Sequence, residues 1–197
     1  MKKILLLLVI AIIVPLVYLI VSNYNNIPKL DENVKEKWSQ VQNQYKRRSD
    51  LIPNLVATVK GYAEHEKSTF TEVTEARSKV SQINVNSEML NNPAMLQQFS
   101  NAQAGLSSAL SKLMLVVEKY PDLKANENFM ALQSQLEGTE NRITIARKDF
   151  IEAVKLYNLE LRTMPGKLVA AIVHPSAQLK KTFTASPQEQ ETPKVQF

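Results

Sequence analysis

The sequence predicts an all-α protein: an N-terminal transmembrane helix followed by an up-and-down four-helix bundle of long amphipathic helices. Three observations predict it. An uncharged run from Ile4 to Val21 follows Lys2 and Lys3. Beyond that run, apolar residues recur at alternating three- and four-residue steps, the period of one helical stripe. Composition agrees: the 197 residues include only 4 glycines, and no segment alternates as a strand would.

The first element is the anchor, residues 1–25. As a helix, the run over 4–21 is roughly 27 Å long at about 1.5 Å per residue, close to the ~30 Å hydrocarbon layer. A cleaved signal peptide would have a shorter apolar core and end in a small-x-small step. Here the run leads into Ser22-Asn23-Tyr24-Asn25, which has no such step. Zero cysteines exclude a lipidated cysteine, disulfides and thiol nucleophiles. Pro15 falls mid-span and reads as a local kink. Lys2 and Lys3 abut the run on one side, and Lys29, Lys35 and Lys37 follow on the other. The closer pair favours a cytoplasmic N-terminus and an extracytoplasmic body.

The bundle is expected over 26–165, with prolines punctuating its helices. Pro28, Pro53, Pro93 and Pro121 each suit a first helical turn, and Pro165-Gly166 closes the last helix. Asn91-Asn92 supply an N-cap before Pro93. The first helix carries Leu30, Val34, Trp38, Val41 and Tyr45. The second carries Leu55, Val59, Tyr62, Glu66, Thr69, Val73, Ala76, Val80 and Ile83. The third carries Met95, Phe99, Ala102, Leu106, Ala109, Leu113, Val116 and Tyr120. The fourth carries Phe129, Leu132, Leu136, Thr139, Ile143, Ala146, Phe150, Ala153 and Tyr157. Long helices with short connections pack as antiparallel neighbours. The alternative is three helices, with Asp50 to Pro53 a kink rather than a turn. Residues 166–197 form a C-terminal tail, with the apolar Leu168 to Val173 placed to pack on the bundle end and Ser186 to Pro193 a loop.

These blocks resemble the LemA family. The resemblance rests on Arg47-Arg48-Ser49-Asp50-Leu51-Ile52-Pro53-Asn54-Leu55-Val56 with Val59-Lys60-Gly61-Tyr62 and His65-Glu66. Tyr120-Pro121-Asp122-Leu123-Lys124-Ala125, Leu136-Glu137-Gly138-Thr139-Glu140-Asn141-Arg142, Ala146-Arg147 and Tyr157-Asn158 continue it, and Pro193-Lys194-Val195 with Phe197 ends it. The resemblance implies a bacterial single-pass membrane protein with an α-helical bundle and no established molecular function. A related branch builds magnetosome membranes, which implies membrane organisation as a theme.

The candidate site residues form a polar network: Arg47, Arg48, His65, Glu66, Glu140, Arg142 and Arg147. A carboxylate on a buried seam is costly unless paired, so the network reads as register-fixing ion pairs. A di-iron site would use Glu-x-x-His pairs. Glu137 and Glu140 have the step but no histidine, and the two histidines are His65 and His174. No catalytic, cofactor or metal set is assigned. Gly61, Gly105 and Gly138 fall inside helical pattern and suggest close helix packing.

The net charge of +5 is small and mixed, with no basic stripe carrying aromatics, so nucleic acid is not an expected partner. The expected partners are the lipid bilayer, through the first helix, and a protein or second copy along the helix faces. The expected function is an interaction or scaffold module of the bacterial inner membrane. A small-molecule or lipid-binding bundle is the alternative, and an enzyme comes last.

Overall fold

The computed structural model describes residues 2–183, with some side chains in the first helix and that of Ser87 outside the described set. The family-like end at 193–197 and the loop expected over 186–193 lie outside the described residues. Among the described residues the fold is all-α. Helices run over Lys2–Tyr24 (α1), Asn26–Lys60 (α2), Lys67–Ser81 (α3), Pro93–Val117 (α4), Pro121–Lys124 (α5), Glu127–Arg162 (α6) and Gly166–Val173 (α7), with a 3₁₀ turn at Ser87–Asn91. Among the described residues no helix is long and apolar enough to cross a membrane. Several side chains of the 4–21 run fall outside that set, so the expected span rests on the sequence.

α2 packs along α6, and α3 along α4. The two pairs enclose two successive cores. The core nearer α1 gathers Ile27, Val34, Trp38, Val41 and Tyr45 from α2, Leu96 and Phe99 from α4, and Phe150, Val154 and Tyr157 from α6. The far core gathers Ile52, Leu55 and Val59 from α2, Phe70 and Val73 from α3, Leu106 to Val117 from α4, and Phe129 and Leu136 from α6. α2, α4 and α6 therefore contribute to both; α2 and α4 run from the first core to the far one, α6 runs back, and α3 buries its side chains in the far core alone.

α6 buries the stripe its sequence marks. Phe129, Leu136, Thr139, Ile143, Ala146, Phe150, Ala153 and Tyr157 are all buried. Its N-terminus is capped by Asn126, whose side chain accepts from the Phe129 amide at 3.0 Å. Asn92 caps α4 in the same way, accepting from Ala94 and Met95, with Pro93 in the first turn.

The expected boundary at Asp50 to Pro53 is not a boundary. α2 runs straight through Pro53 to Lys60. A proline inside a helix removes one amide donor and strands the carbonyl four residues earlier. Here that carbonyl belongs to Ser49, and Arg77 of α3 donates its Nε–H to it at 3.0 Å. The neighbouring helix thus replaces the missing bond, while Pro53 faces solvent. The buried series Val34, Trp38, Val41, Tyr45, Arg48, Ile52, Leu55 and Val59 keeps its step throughout.

The break comes instead over 61–66. Gly61 ends α2, and Ala63 seats the turn in the far core at 1% exposed. The second stripe predicted from sequence is thereby split. Leu55 and Val59 belong to α2, and Val73, Ala76 and Val80 to α3, while Tyr62 is exposed in the turn. The Tyr62 hydroxyl accepts from Asn126 Nδ2 at 3.0 Å, tying this turn to the start of α6.

Close packing does not explain the helical glycines. A Cβ built at Gly105 or Gly138 would meet nothing within 4 Å. The segment expected as a tail begins with α7, which packs on α6 and on the end of α1. The chain then returns along the bundle, and Phe183 packs against Trp38 and Phe150.

Candidate functional site

Two polar groupings stand out against the apolar interior. The first lies at mid-height, where the two cores meet. Arg48 occupies a seam position of α2 and is 2% exposed. Its Nη1 donates to Glu140 Oε1 at 2.8 Å and to Ser107 Oγ at 3.0 Å. Its Nη2 donates to the Gln103 backbone oxygen at 3.4 Å and to Gln103 Oε1. The guanidinium also lies 5.2 Å from the centroid of the Tyr45 ring. One arginine from α2 thereby joins α4 and α6. Its planar fork suits this, because its donors diverge in fixed directions. Arg48 Nε and Gln103 Nε2 have no hydrogen-bond partner among the described residues. Burial pushes the Tyr45 hydroxyl above its ordinary pKa, against the opposing charges of Arg147 and Arg48.

The seven residues predicted as one network are not brought together. Arg48 and Glu140 meet. Arg147 sits nearby, its guanidinium 4.4 Å from the centroid of the Phe183 ring. Glu66 lies at the start of α3, not on a seam, and its carboxylate is 4.0 Å from Lys119 Nζ. His65 is exposed in the α2–α3 turn, and Arg47 and Arg142 are exposed on helix flanks. Gln103 and Ser107 complete the layer and were not among the predicted residues. The step from Phe99 to Leu106 passes through 103 as readily as 102, so Gln103 was within reach of the pattern. No group of three His, Cys, Asp or Glu placed to hold a metal occurs among the described residues.

The second grouping is at the α1 end. Lys180, 8% exposed, places Nζ 2.8 Å from Asp31 Oδ1, and Lys35 Nζ lies 2.9 Å from the other carboxylate oxygen. Lys180 is positioned by backbone pairing: its amide donates to Asn158 Oδ1 and its carbonyl accepts from Asn158 Nδ2, both at 2.9 Å. The ammonium lies 5.0 Å from the centroid of the Tyr157 ring. Burial raises the Asp31 carboxyl, but hydrogen bonds and charge from Lys180 and Lys35 outweigh it and hold the group below the usual carboxylate range. Asp31, Lys35, Tyr157 and Lys180, with Ile27, Glu88 and His174, line an open cleft of about 370 Å³. The sequence offered no motif for Lys180; it meets Asp31 only because the chain returns along the bundle.

The model of the LemA family matches residues 37–197. Magnetosome proteins MamQ 1 and MamQ 2 of Paramagnetospirillum magneticum are each 26% identical over 176 residues, covering 81% of this chain and 65% of theirs. Protein LemA of Metamycoplasma hominis is 23% identical over 153 residues, covering 78% of this chain and 66% of its own length. The chain thus spans less than two thirds of the length of the MamQ relatives it matches.

Proposed function

From the premise that this chain belongs to the LemA family, we propose that it is a membrane-anchored interaction or scaffold module of the bacterial cell envelope. Residues 4–21 cross the inner membrane, and the bundle stands outside the cytoplasm. The observation that carries this reading is the joint between α1 and α2. α1 ends at Tyr24 and α2 begins at Asn26, so a single residue separates them. The joint is braced from the side: His174 Nε2 lies 3.0 Å from the Tyr24 carbonyl, and the two rings are 5.6 Å apart. A bundle on so short and braced a joint is held in a set attitude rather than swinging on a linker. Such a body presents long helix flanks at a fixed distance from the bilayer, as a scaffold requires. Relatives named as magnetosome proteins support a place in an assembly.

Two measurements test this. Ser134, exposed on α6, takes a single cysteine in a chain that has none. An impermeant maleimide should label it in intact spheroplasts, and the protein should stay with membranes through carbonate washing. Labelling only after lysis would reverse the orientation, and release by carbonate would remove the anchor. Mild-detergent extracts run on a sizing column should then show a stoichiometric second protein or second copy. A lone monomer carrying a tightly bound small molecule or lipid would favour the binding-bundle alternative, for which the cleft beside Asp31 and Lys180 is the observation in hand.

A further inference from the structure

We infer that α7 is a second membrane contact: a short helix lying in the bilayer interface beside the anchor and seating the body on the lipid surface. This rests on the proposed span of α1 and adds a surface to it. α7 is only eight residues, GKLVAAIV, yet it is apolar on two sides. One side is accounted for. Val169 is buried, and Ala170 and Val173 pack on the core nearer α1. The other side is not. Leu168 is 47% exposed and Ile172 66%, and Met164, in the turn before α7, is 66% exposed. Leu168 and Ile172 are four apart and share one face of α7, an apolar ridge. Lys167 and Arg162 are exposed around it, the arrangement of an interfacial helix with basic flanks.

Position decides what covers the ridge. α7 packs against the end of α1, and His174, which caps α7, holds the Tyr24 carbonyl. A ridge locked to the last turn of a spanning helix must sit at headgroup depth, where an amphipathic helix buries its apolar side by about 5–10 Å. A second copy is the poorer occupant. Three side chains fall far short of the roughly 1,200 Å² that a stable protein interface buries in total. The bilayer asks for no such area, because α1 already supplies the attachment.

The experiment uses the full chain in vesicles of mixed zwitterionic and anionic lipid, with single nitroxide labels read for collision with oxygen and with a water-soluble nickel chelate. Cysteines at Ile172 and Leu168 test the ridge. Tyr18 in α1 and Leu115 on α4, both exposed, are the membrane and water standards. Oxygen should outweigh nickel at Ile172 and Leu168 as it does at Tyr18, by several-fold relative to Leu115. Nickel contact at the Leu115 level in both ridge positions would overturn the inference while leaving the anchor intact. Nickel contact at Tyr18 itself would remove the anchor and the inference together. Dipolar broadening between labels at Ile172 would show that a second copy covers the ridge, and would also overturn it.

Discussion

The two cores of this bundle are built from different residues and do different work. The core nearer α1 is aromatic: Trp38 contacts Phe99, Phe150 and Phe183 at centroid distances of 5.2–5.9 Å, and Tyr45 meets Phe99 edge-on. It receives the returning C-terminal segment and braces α1. The far core is mainly aliphatic, with Leu106, Leu113, Leu123 and Val59 at 0% exposed, and it closes the α2–α3 turn. Between them lies the Arg48 layer. The difference teaches that one end is specialised for attachment and the other for closure, with a polar layer fixing how the helices pass from one to the other. A misaligned α4 or α6 would have to bury Arg48 without acceptors, which is costly.

The largest test is to truncate each core in turn. Phe150→Ala and Leu113→Ala both remove fully buried side chains, and roughly 3–5 and 2–5 kcal/mol should be lost on thermal or denaturant unfolding. The consequences beyond stability should differ. Phe150 touches Phe183, so its loss should expose residues 174–183 to hydrogen exchange and protease under native conditions. Leu113→Ala should leave that segment protected. Equal exposure in both variants would mean that the two ends are not separable.

Next comes the layer itself. Glu140→Gln weakens the charge-assisted bond to a buried guanidinium, and about 1–3 kcal/mol should be lost. Glu140 is half-exposed, with 44% of its side chain accessible, so water softens the effect below that of a fully buried pair. A double-mutant cycle should show coupling between Arg48 and Glu140 of about 0.5–3 kcal/mol. Arg142→Ala and Arg47→Ala, on exposed flanks, should change stability by less than about 0.5 kcal/mol. Coupling of Arg142 to Glu140 as strong as that of Arg48 would break the picture of a single arginine holding the layer.

How much of this was legible in the sequence differs helix by helix. α6 was legible throughout because every seam position is apolar or Thr139, and no proline interrupts it. α2 was cut in two for the opposite reason. Its apolar series ends at Tyr45, and Asp50 and Pro53 follow, local signals that point to a turn. What overrides them is tertiary: Arg77 supplies the bond that Pro53 lacks, and Gln103, Ser107 and Glu140 satisfy Arg48. Neither partner set can be found by periodicity. Lys180 illustrates the same limit at the other end, since 149 residues separate it from Asp31 (180 − 31) and no spacing rule reaches so far.

That override can be tested directly. Arg77→Leu strands the Ser49 carbonyl, and roughly 1–2 kcal/mol should be lost. The loss should shrink when Pro53→Ala restores the α2 amide, because the carbonyl then regains a donor. An unchanged penalty in the Pro53→Ala background would mean that Arg77 contributes through packing alone.

Acid should separate the two ends as well. The folded Asp31 carboxyl titrates below its ordinary value, so its carboxylate stabilises the fold above the unfolded pKa of about 3.9, and that contribution disappears as pH falls through the lower folded value. Asp31→Asn should therefore cost about 1 kcal/mol near neutrality. The gap between the two proteins in melting temperature should narrow from about pH 5 downward. A gap that persists undiminished at pH 2 would assign the effect to packing rather than charge.

The smallest expected effect bears on the layer's mechanics. Gly105 stands between Gln103 and Ser107 on α4, and Gly138 stands two residues before Glu140 on α6. Both therefore flank the layer, and neither has a neighbour that an added methyl would strike. A glycine in a helix interior with room for a side chain forgoes stability, because the unfolded chain has more freedom to lose. Gly105→Ala and Gly138→Ala should each raise stability by about 0.4–1 kcal/mol. The two gains should add, since the substitutions share no contact. If they do, the glycines contribute nothing to the folded contacts, and the layer is held by Arg48 and its acceptors. A loss of stability in either variant would show that the backbone there bends or is approached closely in solution. The boundary between the two cores would then be a joint rather than a fixed register.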